Sequence, residues 1–340
     1  MSQSPHAHLS IPDPEWAAEV AKIPDGQEIP TDVAGMRQTI VDVFIGTGKR
    51  YYEPMLPDAL TYKVMNHIVH LPDGATTAAR TITPISPETG KSYPCIVWVH
   101  GGGGNVDFDD YRMRIIAMKY QLVAVLLDYR LAPEHPFPIP HRDAYEGLKW
   151  VAKDGHTFGA DLAQGFILGG TSAGGNIAAT LAHKAQSDPF FEGKRLTGHI
   201  LTMPSLIHPH GYPERYSTEL QSINIPDGAK WTCLPKEYAV DMFVEGLQSP
   251  PTDPEGSPLL YPKRHILPPT YLQIAGLDPL RDEGILYERL LREAGVKTRI
   301  SIYPGVPHGF HLAWPHMTAS QKCEEDLKAG VKWLLELHRS

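Results

Sequence analysis

The chain has 340 residues, a formal net charge of −8 and 42% hydrophobic residues. That is enough apolar material for a large core and too much for general disorder; with no Lys/Arg cluster in the chain, it also argues against nucleic acid as a partner. The polar, proline-interrupted stretch Met1 to Trp16 lacks the apolar run of a secretory signal, and the longest apolar run, Leu122 to Leu127, is far too short to span a membrane. The expectation is therefore a cytoplasmic protein without stable membrane insertion.

Residues 1–55 carry several prolines and a short helical hint at Glu15 to Lys22, and are expected to pack as a cap segment on a larger body. From Leu60 the pattern changes. Leu60 to Leu71 and Thr77 to Ile85 read as two strands joined at the turn signal Pro72-Asp73-Gly74. Short continuous apolar runs follow at Cys95 to Val99, Leu122 to Asp128, Phe166 to Gly169, His199 to Met203, Thr270 to Ala275 and Thr298 to Tyr303. Such runs suit strands buried on both faces of a parallel sheet. Helical stripes lie between or after them at Asp143 to Ala152, Asn176 to Ala185, Glu283 to Ala294 and Ser320 to His338. Alternating strands and helices predict an α/β fold, with a mostly parallel eight-stranded sheet flanked by helices. Residues 205–260, rich in Pro, Gly and polar side chains with a helical patch at Lys236 to Leu247, break the rhythm and read as a cap insertion. The catalytic body would then comprise 56–204 and 261–340. Cys95, Cys233 and Cys323 are far apart and in no metal-like spacing, so they read as reduced thiols.

Two glycine-rich turns carry the chemistry. The run Phe166 to Asn176 passes from strand to helix with Gly170 and Gly174 flanking Ser172, a G-x-S-x-G arrangement. A serine on so tight a turn is projected clear of the sheet at a helix amino end, where unpaired N–H groups and the dipole favour a developing oxyanion. Strand Cys95 to Val99 ends in His100 followed by Gly101, Gly102, Gly103 and Gly104. Consecutive glycines can aim backbone N–H groups at one point, as an oxyanion requires. A phosphate-cradling loop fits poorly, because no Lys-Ser/Thr follows. His100 is expected to brace this loop, and Asp107, Asp109 and Asp110 read as a solvated acidic surface in no metal register.

These two turns, together with the block Asp128 to Glu134 and its continuation through Phe137-Pro138 and Asp143-Ala144, resemble the hormone-sensitive-lipase-like esterases of the α/β-hydrolase superfamily. The resemblance spans roughly residues 95 to 315. It implies an oxyanion hole at Gly102, Gly103 and the N–H of Ala173, with Arg130, Glu134 and Asp143 as structural braces. Two positions depart from the commonest pattern: Thr171 stands where Asp is frequent, and Gly104 where an aromatic or bulky residue is usual.

A nucleophilic serine needs a base, and the base an orienting carboxylate. In the chain order nucleophile, acid, histidine, Asp278 follows the strand ending near Ala275 and His308 follows the strand ending near Tyr303. Both thus lie just past strand ends, on the sheet edge where catalytic groups of open α/β sheets belong, and both match the family's motifs. Asp282 is the rival acid; His311 and His316 are the rival bases. Trp314, Phe310 and Tyr303 read as core or pocket lining.

The expected reaction is hydrolysis of small to medium carboxylic esters through an acyl-enzyme, with Ser172, Asp278 and His308 as triad and with neither cofactor nor metal required. A small-molecule ester is the expected partner, and a homodimer is one assembly left open. Two other functions remain: a transacylase, lactonase or lyase acting on a specialised metabolite with the same triad, and a non-catalytic ligand-binding receptor on this fold.

Overall fold

The apolar runs become eight strands of one sheet in a computed structural model that describes residues 5–24, 30, 32–225 and 234–340. They are β1 (Tyr62–His70), β2 (Thr76–Pro84), β3 (Cys95–Val99), β4 (Val123–Leu127), β5 (Phe166–Thr171), β6 (Gly198–Thr202), β7 (Thr270–Leu277) and β8 (Thr298–Pro307), in the spatial order β1-β2-β4-β3-β5-β6-β7-β8. β1 pairs antiparallel with β2 and β2 with β4, while every later pairing is parallel. The predicted turn closes the β1–β2 hairpin, where Gly74 N–H donates to the Leu71 carbonyl.

The helices in chain order are α1 (Pro14–Val20), α2 (Val33–Thr39), α3 (Gly46–Tyr52), α4 (Asp110–Tyr120), α5 (Ile139–Asp154), α6 (Ala173–Ser187), α7 (Lys236–Asp241), α8 (Arg281–Glu293), α9 (Phe310–Ala313) and α10 (Thr318–Arg339). A wide-turned stretch, Ile40–Ile45, joins α2 to α3, and another, Met242–Leu247, extends α7. Side chains alternate across each strand, which is why the sheet has two cores. Val97 and Val99 of β3 join Leu148 of α5, Ala178 of α6 and Leu291 of α8 in one of them. Ile96 and Trp98 face the other way, toward Met113 and Ile116 of α4 and Leu327 and Val331 of α10. Every parallel strand from β3 to β6 is buried at all its positions, as continuous apolar runs require.

Helix α4 was not expected from the sequence pattern. Asp110 and Arg112 lie buried on it among apolar residues, so no clean apolar stripe marks it. Its neighbours correct the reading of the acidic cluster. Asp109 and Asp110 are not solvated: both are buried, Asp109 against Arg112 at 2.5 Å and Asp110 against Arg114 at 2.6 Å and Arg80 at 3.1 Å. Trp98 Nε1–H also donates to Asp109, so a carboxylate removed from water keeps compensating partners. Cys95 and Cys323 are buried free thiols; Cys233 lies outside the described residues. Among the described residues, no helix is long and apolar enough to cross a membrane.

Candidate active site

β5 ends at Thr171 and α6 begins at Ala173, leaving Ser172 between them at φ 57°, ψ −116°. A non-glycine residue at positive φ is strained and survives only where the surroundings hold it. The flanking glycines supply that hold. A Cβ at Gly170 would run into the Gly174 carbonyl, and one at Gly174 into the carbonyls of Val99 and His100. The serine's own main chain is anchored as well: its N–H donates to Thr202 O at 2.9 Å and its carbonyl accepts from Ser205 N–H at 3.3 Å.

The ends of β7 and β8 bring the other two groups to the same place. Ser172 Oγ lies 2.9 Å from His308 Nε2, and His308 Nδ1 lies 2.7 Å from Asp278 Oδ2. Since the carboxylate can only accept, Nδ1–H donates to it and Nε2 is left to accept the serine hydroxyl. Asp278 is 1% exposed, and its second oxygen accepts the Leu280 N–H at 2.8 Å, fixing the carboxylate plane. The rivals are engaged elsewhere. Asp282 binds Arg281 and accepts the N–H groups of Gln221 and Ser222. His311 is fully buried, where desolvation holds it well below the usual histidine range, and His316 pairs with Glu19 at 3.1 Å. Tyr303 and Phe310 belong to a buried cluster with Trp16, against which Trp314 packs, and none of these lines the cavity above Ser172.

The glycine loop after β3 closes the site. Gly102 and Gly103 line the same cavity as Ser172, Ala173 and His308, and a Cβ on Gly102 would sit 3.4 Å from that of Ala173. Gly103 has φ 71°, which suits glycine, and a Cβ there would lie 2.7 Å from Ile40 Cδ1. Among the described residues, no main-chain carbonyl takes the N–H of Gly102 or Gly103. The loop is braced as expected: His100 reaches Gly101 O and Asp128 and stacks on Tyr129 at 4.3 Å, while the Tyr129 hydroxyl donates to His100 O. The departure at Gly104 also finds its explanation, because Phe108 lies against Gly101 and Gly104 and lines the cavity itself. Of the three expected braces, Arg130 and Asp143 form a bidentate pair with both bonds at 2.7 Å. Glu134 instead pairs with Arg37 of α2, tying the amino-terminal segment to the body.

The cavity has a volume of about 170 Å³, and among the described residues no Asp, Glu, Lys or Arg lines it. Met36, Ile40 and Phe44 come to it from the amino-terminal segment; Tyr238, Met242 and Phe243 come from the insertion. His141 lines it too, buried and held neutral, its Nε2 2.8 Å from Asn176 Oδ1. No group of residues suited to hold a metal ion occurs among the described residues. The arrangement can activate a hydroxyl beside backbone donors within a space lined mostly by apolar side chains.

Comparison with known proteins accords with this geometry. Residues 96–312 match the family described as alpha/beta hydrolase fold. An AB hydrolase superfamily protein of Schizosaccharomyces pombe is 37% identical over 95% of this chain and 94% of its own length. The versiconal hemiacetal acetate esterase of Dothistroma septosporum is 34% identical over 69% of this chain and 72% of its own length. Among solved structures, that of a vibralactone cyclase superposes with a TM-score of 0.90 at 39% identity, covering 98% of this chain and 97% of the other. The chain therefore belongs to the α/β-hydrolase family, in its hormone-sensitive-lipase-like branch.

Proposed function

We propose that this chain is a serine hydrolase that cleaves carboxylic esters, with Ser172 as nucleophile, His308 as general base and then general acid, and Asp278 orienting the imidazole. The observation that carries the reading is the hydrogen-bonded line from Ser172 Oγ through His308 to Asp278. As Oγ attacks the ester carbonyl, its proton passes to Nε2, and Asp278 stabilises the imidazolium that forms. The carbonyl electrons collect on an oxygen facing the N–H groups of Gly102, Gly103 and Ala173. The alcohol leaves with the proton from Nε2, and water, activated by the same imidazole, releases the acid from Ser172. No step calls for a cofactor.

A cavity whose described lining is apolar and uncharged favours neutral esters of small to medium acyl chains. Residues 1–55 and 205–260 act as the cap on the body 56–204 and 261–340, and each contributes side chains to that cavity. The reading places the protein in the cytoplasm, where buried Cys95 and Cys323 stay reduced, and takes a homodimer as its assembly, which sedimentation decides. Ser172→Ala is expected to lower hydrolysis of a short-chain nitrophenyl ester by at least about a thousandfold without unfolding the protein. Full activity in that variant, or failure of an organophosphate to label the wild-type serine, removes the reading.

A second reading keeps the acyl-enzyme and changes the acceptor. The likeness to a vibralactone cyclase over nearly the whole chain favours acyl transfer to a hydroxyl, intramolecular in lactone formation. Product analysis with and without an added alcohol separates the two.

A further inference from the structure

Five residues beyond Asp278, in the first turn of α8, Glu283 is buried with 1% exposure. Its Oε1 accepts the Leu206 N–H at 2.7 Å. The residue before, Ser205, donates its own N–H to the Ser172 carbonyl at 3.3 Å. One carboxyl thus grips the segment on which the nucleophile's turn rests, and it does so from the helix that opens immediately after the acid loop. We propose that Glu283 is a positioning residue for ester cleavage: it latches the Ser205–Leu206 segment beneath Ser172 to the start of α8, so that nucleophile and acid loop keep one spacing.

The inference rests on the roles given above to Ser172, His308 and Asp278. Neighbouring Asp282 does for the insertion what Glu283 does for the nucleophile's support. Its Oδ2 accepts the N–H groups of Gln221 and Ser222, and the Ser222 hydroxyl donates to the Pro279 carbonyl. The difference between them is charge. Asp282 is paired with the Arg281 guanidinium, which also reaches Ser10 and the Gly276 carbonyl. Glu283 is faced by the carboxylates of Asp278, on the acid loop, and of Asp282, on its own helix, and by the Tyr212 phenol of the insertion. Burial first, and these two like charges after it, push its carboxyl well above the usual range. The latch therefore works as a neutral acceptor, and Asp278 supplies the charge that His308 feels.

The test compares Glu283→Gln, which keeps an acceptor without charge, with Glu283→Met, which keeps the bulk without an acceptor. Wild-type protein must first hydrolyse a nitrophenyl ester and be labelled at Ser172; if it does neither, the parent reading fails and not this one. With that established, E283Q is expected to hold kcat within about twofold and leave the acid-side midpoint of kcat/KM in place, while E283M lowers kcat about tenfold with KM nearly unchanged. Wild-type kcat in E283M, or a fall in E283Q as large as in E283M, overturns the latch. A midpoint lowered by about half a unit or more in E283Q also overturns it, because an ionised Glu283 would then have been raising the base. Should E283M not fold, amide exchange at Ser205 and Leu206 decides: slow exchange in wild type and E283Q supports the latch, and fast exchange in wild type refutes it.

Discussion

Three histidines away from the triad make acid stability calculable. Burial lowers His141 to about 4 and His183 and His199 to about 3 from an ordinary value of 6.5. A histidine so lowered binds its proton more readily once the chain unfolds. Its neutral form is therefore no penalty above pH 6.5, and stability is lost as the pH falls from there toward the folded value. Each contributes a slope of about 1.4 kcal/mol per pH unit within that window. Between pH 7 and pH 5 the loss is about 2 kcal/mol per residue, set almost wholly by the unfolded value, and about 6 kcal/mol for the three. That is comparable with the whole stability of an ordinary domain, about 5–15 kcal/mol. His311 is shifted in the same direction, whereas Glu283 acts in the opposite one, since a carboxyl raised in the fold releases its proton on unfolding and recovers stability as the pH falls. Urea unfolding followed by tryptophan fluorescence at both pH values measures the difference in free energy. His199→Leu is expected to shrink that difference by about 2 kcal/mol. An unchanged difference would show that His199 is not held neutral in the fold, and the reasoning would fall.

Two further outcomes follow from the site. Asp278→Asn leaves the packing intact but removes the acceptor that fixes the His308 tautomer, so kcat should fall by about a thousandfold or more while thermal unfolding stays near wild type; a loss of under about tenfold would point to another acid. Ile40→Ala removes the side chain that lies against Gly103 at the cavity wall, and is expected to move preference toward longer acyl esters in a panel of graded chain length. An unaltered panel would mean that the amino-terminal segment does not shape the acyl subsite.

The body of the fold was legible because its signals are local. Buried parallel strands must be apolar throughout, and all eight were found near their observed places. The turn around Ser172 was legible for another reason: the carbonyls of Gly174, Val99 and His100 come too close for any side chain at positions 170 and 174, so the backbone geometry is written into residue type. Helix α4 escaped because its buried charges break any apolar stripe; they are satisfied by Arg80, Arg112 and Arg114, and the Arg80–Asp110 pairing joins residues outside any short window. The same cause made Asp109 and Asp110 look like surface. Glu283 was read only as the start of a helical stripe, although two consecutive acids at a helix start just after the candidate Asp278 were a signal to ask what holds them.

Residue order alone marked the strand-turn-helix around Ser172 and the glycine loop after β3, since each depends on neighbours within a few positions. Tertiary structure sets Asp278 rather than Asp282 against His308, and His308 rather than His311 or His316 against Ser172; the rivals follow the same two strands, and only the folded turns show which side chain reaches the serine. It also decided which segments wall the cavity. Residues 40 and 243 meet there only after some two hundred residues of intervening chain have folded, and no spacing in the sequence encodes that approach.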